Sequence, residues 1–202
     1  MDPTIAPAIA EELFRRWNEP HRRHHNQQHL DEVLAALQTV RADGLDFAER
    51  PVVLAAWFHD AIYQPLRADN EQASADLARE LLADDPDRDE VARLVVLTAQ
   101  HRPEPGDRNG IALSDADFAV LGSSPERYDE YALNVREEFH QVPDDLFRSG
   151  RSGLLAEFLE RDHIFASAPA HQRWEAQARA NIGRELVQAD AERRRQVSSG
   201  DN

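Results

Sequence analysis

Apolar residues recur along this chain at helical spacing almost from end to end. Ile5, Ile9, Leu13, Phe14 and Trp17 line one face at a 3.6-residue period, and Asn18-Glu19-Pro20 closes that segment because proline disfavours helix at the preceding residue. The next helix is predicted to open on Asn26, an N-cap residue type, and to carry Leu30, Val33, Leu34 and Leu37 as far as Arg41, with a turn at Gly44. Phe47 to Ile62 is apolar nearly throughout, with Pro51 in its first turn, where proline is tolerated. A helix apolar all round is predicted to be central and buried. Gln64-Pro65 ends it, and a polar loop leads to Asn70.

Glu71 to Ala83 and Arg88 to His101 read as two further helices, and His101 to Asp107 as a loop dense in breakers. Leu113 to Leu121 is predicted as a short helix. Pro125 to Phe139 follows, with Tyr128, Tyr131, Val135 and Phe139 on one face. Pro143 to Phe165 is predicted as two pieces broken near Ser149-Gly150, and His171 to Arg195 as one long charged helix. No repeat, linker or strand-period alternation interrupts this pattern. The expectation is an all-α fold, a single helical bundle over residues 1–196 with a frayed tail at 197–202.

Composition narrows the chemistry. The chain has 202 residues with 41% hydrophobic content, enough for one well-cored domain, and no apolar run approaches the roughly 18 residues of a membrane span. The N-terminus lacks the basic and apolar regions of a signal peptide, so a cytoplasmic protein is expected. A formal net charge of −15 argues against a general nucleic-acid binder. Cysteine is absent, which removes disulfides, thiolate metal sites and cysteine nucleophiles. Lysine is absent too, since all 23 basic residues are Arg, so a Walker-type phosphate loop or a lysine Schiff base is excluded. Phosphate would be held by Arg, His, backbone amides or metal.

Against this background Ala55-Ala56-Trp57-Phe58-His59-Asp60-Ala61-Ile62-Tyr63 stands out. It sets a His and an Asp side by side within apolar surroundings, where both need partners. With His29 and Asp117 they make two imidazoles and two carboxylates. That donor set suits a divalent ion (Mn, Fe, Co, Ni or Zn, with Mg as a further candidate). Such an ion acidifies water and polarises a phosphoryl oxygen.

The order His … His-Asp … Asp over successive helices resembles the HD superfamily of metal-dependent phosphohydrolases, and more closely a bacterial subfamily described as predicted HD-type phosphohydrolases. The segments that carry the resemblance begin with Pro20-His21-Arg22-Arg23-His24-His25-Asn26-Gln27-Gln28-His29-Leu30 and Trp57 to Tyr63. They continue with Asp69-Asn70-Glu71-Gln72-Ala73-Ser74-Ala75, Thr98-Ala99-Gln100-His101, Ser114-Asp115-Ala116-Asp117-Phe118, Phe147-Arg148-Ser149-Gly150-Arg151 and Glu175 to Leu186, spanning roughly residues 10 to 190. The resemblance implies an HD-type helical domain in which His29, His59, Asp60 and Asp117 ligate the metal. Phe118-Ala119 stands where the family more often has a basic residue and Leu, so Asp115 is an alternative ligand. His24 stands where Tyr is expected.

Other roles follow with the resemblance in view. Asp60 would also orient or deprotonate the attacking water. Glu71, at a helix start, is a candidate base, and His101, at a helix end, a candidate general acid. Arg22 is a candidate phosphate clamp, with Arg151 a weaker one, and His25 a candidate phosphate or second-metal residue. The expected substrate is a small phosphorylated compound, a nucleotide by superfamily analogy. No membrane partner is expected, and a homodimer is left open. Two rival readings are an HD-type oxygenase with a di-iron centre and a non-catalytic helical metal-binding protein.

Overall fold

The computed structural model describes residues 5–200. Nine α-helices account for its regular structure among those residues, with one 3₁₀ turn and no strand: α1 (Pro7–Trp17), α2 (Gln27–Ala42), α3 (Glu49–Phe58), α4 (Asn70–Leu81), α5 (Arg88–Leu97), α6 (Arg108–Asp117), the 3₁₀ turn (Phe118–Gly122), α7 (Pro125–Glu138), α8 (Asp144–Glu160) and α9 (Ala168–Gly200). No helix among the described residues is long and apolar enough to cross a membrane.

The helix expected to be central is so. In α3, Pro51, Val52, Leu54, Ala55, Ala56 and Phe58 are buried, and α3 packs against α2, α4, α5 and α6. One cluster of buried apolar side chains runs from Ile5 through Trp17, Leu30, Phe58, Leu94, Leu113, Tyr128 and Phe158 to Ile182. Asn26 caps α2, its side chain accepting from the amides of Gln28 and His29, and Gly44 turns the chain at φ 99°.

Four boundaries differ from the sequence pattern. α3 stops at Phe58, so the His-Asp pair sits at the end of the helix rather than inside it. α6 begins at Arg108, well before Leu113. Asp107 caps it by accepting from the Gly110 amide at 3.0 Å, and the capping carboxylate folds so close that a Cβ at position 110 would lie 2.4 Å from it. Asn109-Gly110 therefore belongs to a helix start rather than a loop. α8 is continuous through Ser149-Gly150, because Phe147, Leu155, Phe158 and Leu159 share one face against the core. That packing outweighs the roughly 1 kcal/mol a helical Gly costs. α9 stays helical through Gly200, beyond the expected fraying point, and Asp201 and Asn202 lie outside the described residues.

Candidate metal centre

α1, α2, α3 and α6 bring the predicted ligands together. His29, the third residue of α2 in its Asn26-capped first turn, is buried, and so is His59 at the C-cap of α3. Their Nε2 atoms face each other at 3.3 Å. Asp117, the last residue of α6, places Oδ1 2.9 Å from His29 Nε2 and 3.6 Å from His59 Nε2. The ligand atoms of these three residues all lie within 4.8 Å of one another. Asp60 Oδ2 stands 3.1 Å from His59 Nε2 and 3.9 Å from His29 Nε2. Trp17 of α1 floors the site, its ring 5.3 Å from that of His59, and is fixed by donating Nε1–H to the Trp57 carbonyl.

The donor chemistry fits a divalent ion. His59 Nδ1 lies 2.8 Å from the Ala56 carbonyl, which only accepts, so Nδ1 carries a proton and Nε2 is the atom turned to the cluster, where an ion would displace any proton it holds. Burial alone would raise both carboxyl groups. The charge of His59 outweighs it and holds Asp117 well below the usual carboxylate range, helped by hydrogen bonds from His101 and His29. His59 and then His25 lower Asp60 in the same way. Burial opposes the charged form of His59, but Asp60 and Asp117 raise it well above the ordinary imidazole value. Both carboxylates are thus ionised at neutral pH, the state a cation requires.

The turn after α3 is held from behind by Arg22. Its buried guanidinium donates to the carbonyls of Asp60 (2.8 Å), His25 (2.8 Å) and Ala61 (3.2 Å) and to Glu19, and lies over the rings of Trp17 and Tyr63. These bonds satisfy carbonyls at and beyond the end of α3. Four of the five guanidinium N–H groups are thus spent on the protein itself and Arg22 does not line the pocket, so the clamp role expected from its charge is corrected to a positioning one. On the far side of the same turn, Ser74 bonds both backbone groups of Ile62, and Asn70 ties Gln64 and Arg67. That stitching presents Glu71, at the start of α4, to the pocket wall.

Asp115, the alternative ligand, is employed elsewhere. It accepts from the amides of Ala166 and Ser167 at 2.8 Å each and fastens the entry to α9. His101 does reach the cluster, its Nε2 3.2 Å from Asp117 Oδ2, and holds a left-handed backbone (φ 48°) after α5. Asp117 thus shows one oxygen to His29 and His59 and the other to His101.

His25 lines the pocket and is oriented by Glu138, whose importance the sequence does not announce. Glu138 Oε2 accepts from His25 Nδ1 (2.7 Å) and Tyr63 Oη (2.9 Å), while Oε1 accepts the amides of Arg23, His24 and His25. Burial disfavours charge on His25, yet Asp60 and the Glu138 hydrogen bond raise its pKa. His24 is buried against His29 and Tyr131, and desolvation holds it neutral.

Around these groups lies a pocket of about 370 Å³. Its apolar wall includes Val120, Leu121, Val135, Phe139 and Phe158, and Arg151 and Arg161 reach it from α8 and its end. Arg151 is engaged by Glu185 and the Tyr131 hydroxyl. A second cluster, His163, His171 and Glu175, has a carboxylate already committed to the amides of Ile164 and Phe165 and to Arg179.

No family model matches this chain, and neither a curated protein nor a solved structure does.

Proposed function

We propose that the protein is a metal-dependent phosphohydrolase of HD type acting on a small phosphorylated compound, with a nucleotide as the first class to test. The observation that carries this reading is the convergence of His29, His59 and Asp117 with Asp60 beside them, at the floor of a pocket large enough for a small ligand. These four residues would hold a divalent ion, which supplies Lewis acidity for water and for a phosphoryl oxygen. Asp60 orients the attacking water, and the Glu71 carboxylate on the pocket wall takes up its proton. His25, whose Nδ1 is held by Glu138, binds a phosphate oxygen. His101 protonates the leaving oxygen.

The test is release of phosphate and of pyrophosphate from nucleoside mono-, di- and triphosphates, with Mn²⁺, Co²⁺, Ni²⁺ or Mg²⁺ added in turn. Metal-dependent release from one class supports the reading, and no release of either product with any metal removes it.

One observation favours a second reading. The two oxygens of Asp117 face different histidines, an arrangement that suits a carboxylate bridging two metal ions. Two equivalents of iron with oxygen consumption, and no hydrolysis, would identify a di-iron oxygenase instead.

A further inference from the structure

Most guanidinium groups among the described residues sit on carboxylates, as a net charge of −15 leads one to expect. Arg161 does not. It lines the pocket just past the end of α8, with its guanidinium 4.5 Å from the Phe158 ring centroid and 6.0 Å from that of Phe118. Phe118 directly follows the ligand Asp117, and its other ring neighbour is His101, 4.3 Å away. Arg161 therefore stands across one aromatic ring from the cluster.

Its surroundings make that position unfavourable in the absence of an anion. Arg161 is half-buried, no carboxylate lies within ion-pair distance, and Glu157 attracts it only from farther off. Its charged neighbour is another cation, the exposed Arg102 in the loop after His101. Desolvation and this like charge both disfavour the guanidinium. Capping of α8 does not explain it, because Arg179 already donates to the carbonyls of Leu159, Arg161 and Asp162. Packing of the stem on Phe158 accounts for the stem but not for an unpaired head.

We propose that Arg161, backed by Arg102, is an oxyanion subsite at the side of the pocket away from the His–Asp cluster. The substrate then carries two anionic groups, one at the cluster and one, a phosphate or carboxylate, at Arg161, joined by an apolar or aromatic body that lies along Phe118 and Phe158. The identification of a substrate rests on the phosphohydrolase reading, whereas the subsite itself does not.

The experiment pairs binding with turnover. Binding of 4-carboxybenzylphosphonate, 4-phosphonobenzylphosphonate and uncharged-tail 4-methylbenzylphosphonate is measured by calorimetry in Mn²⁺, on wild type, Arg161→Ala, Arg161→Gln and Arg102→Ala. The two anionic-tail probes distinguish a carboxylate from a phosphate preference. Arg161→Ala and Arg161→Gln are expected to weaken one or both of them about tenfold or more, the usual scale for a charged hydrogen bond, and to leave the methyl probe unchanged. Arg102→Ala should give a smaller loss in the same direction. Because the Arg161 side chain makes no hydrogen bond in the fold, both variants should keep wild-type helical content.

The matching aryl phosphates are assayed in parallel, where the expected signature is a raised KM for the charged-tail substrate at unchanged kcat. Equal effects on charged and methyl probes, no effect on either, or no binding of any probe to wild type overturns the subsite. If neither the aryl phosphates nor the nucleotides are hydrolysed while the charge-selective binding persists, the phosphohydrolase reading fails and the subsite stands.

Discussion

Glu138 and His25 lie 113 positions apart in sequence, yet Glu138 Oε2 and His25 Nδ1 are 2.7 Å apart, in a buried knot that also holds Tyr63 and three consecutive backbone amides. Burial alone would raise the Glu138 pKa. The hydrogen bond and charge of His25, with the amides of Arg23 and His25, carry it from 4.5 down to about 2. A depressed carboxylate stabilises the fold fully above its unfolded value and loses that contribution as pH falls through its folded one. At about 1.4 kcal/mol per unit the contribution is on the order of 3 kcal/mol. Glu138→Gln is therefore expected to melt about 6–12 °C below wild type at pH 7, with the gap closing between pH 4.5 and 2. A gap that does not change with pH would show that the charge contributes nothing. His25 works in the opposite sense. Its raised pKa adds stability below about 6.5 that fades as pH climbs through the folded value.

Arg22 is predicted to matter for stability and metal affinity together. Arg22→Met removes the guanidinium donors from three carbonyls around the His59-Asp60 turn and should cost about 3 kcal/mol or more. Metal affinity should fall with it, since the Asp60 backbone loses its anchor. Thermal melts and metal titration on one preparation decide the point. A variant as stable as wild type but with a raised KM would restore the phosphate-clamp role.

Asp115 and Asp117 should separate cleanly. Asp115→Ala leaves the amides of Ala166 and Ser167 without their acceptor and is expected to lower stability by about 2–4 kcal/mol, with metal stoichiometry intact. Loss of metal binding in a folded Asp115→Ala protein would reinstate it as a ligand.

Glu71→Gln preserves shape on the pocket wall while removing the charge. Turnover should drop by about a hundredfold or more, within the range for a lost general base, and bound metal should be unchanged. Parallel loss of both would make Glu71 structural.

Local signals carried much of this. The Asn26 cap, the Gly44 turn and the apolar run of α3 are short-range features, and the order of His29, His59-Asp60 and Asp117 needs no tertiary knowledge to notice. Choosing Asp117 over Asp115 was harder. Two residues apart on a helix they point about 200° from each other, and only the seating of α6 between α2 and the segment leading into α9 tells which one meets the histidines. Arg22 misled because its charge is visible in sequence while the carbonyls that consume it are not. Glu138 and Arg161 were illegible for the same reason: a glutamate at the end of one helix and an arginine after another acquire their roles only through contacts far along the chain.

The central claim is that His29, His59, Asp60 and Asp117 bind a divalent ion, and it is tested most directly by equilibrium titration of wild type and Asp117→Ala with Mn²⁺ and Co²⁺. Wild type should bind saturably and at least one equivalent per chain. Asp117→Ala, with unchanged helical circular dichroism, should bind more than about a hundredfold more weakly, beyond the loss typical of changes outside the ligand set. Equal affinity in the two proteins, or no saturable binding in wild type, would contradict the account.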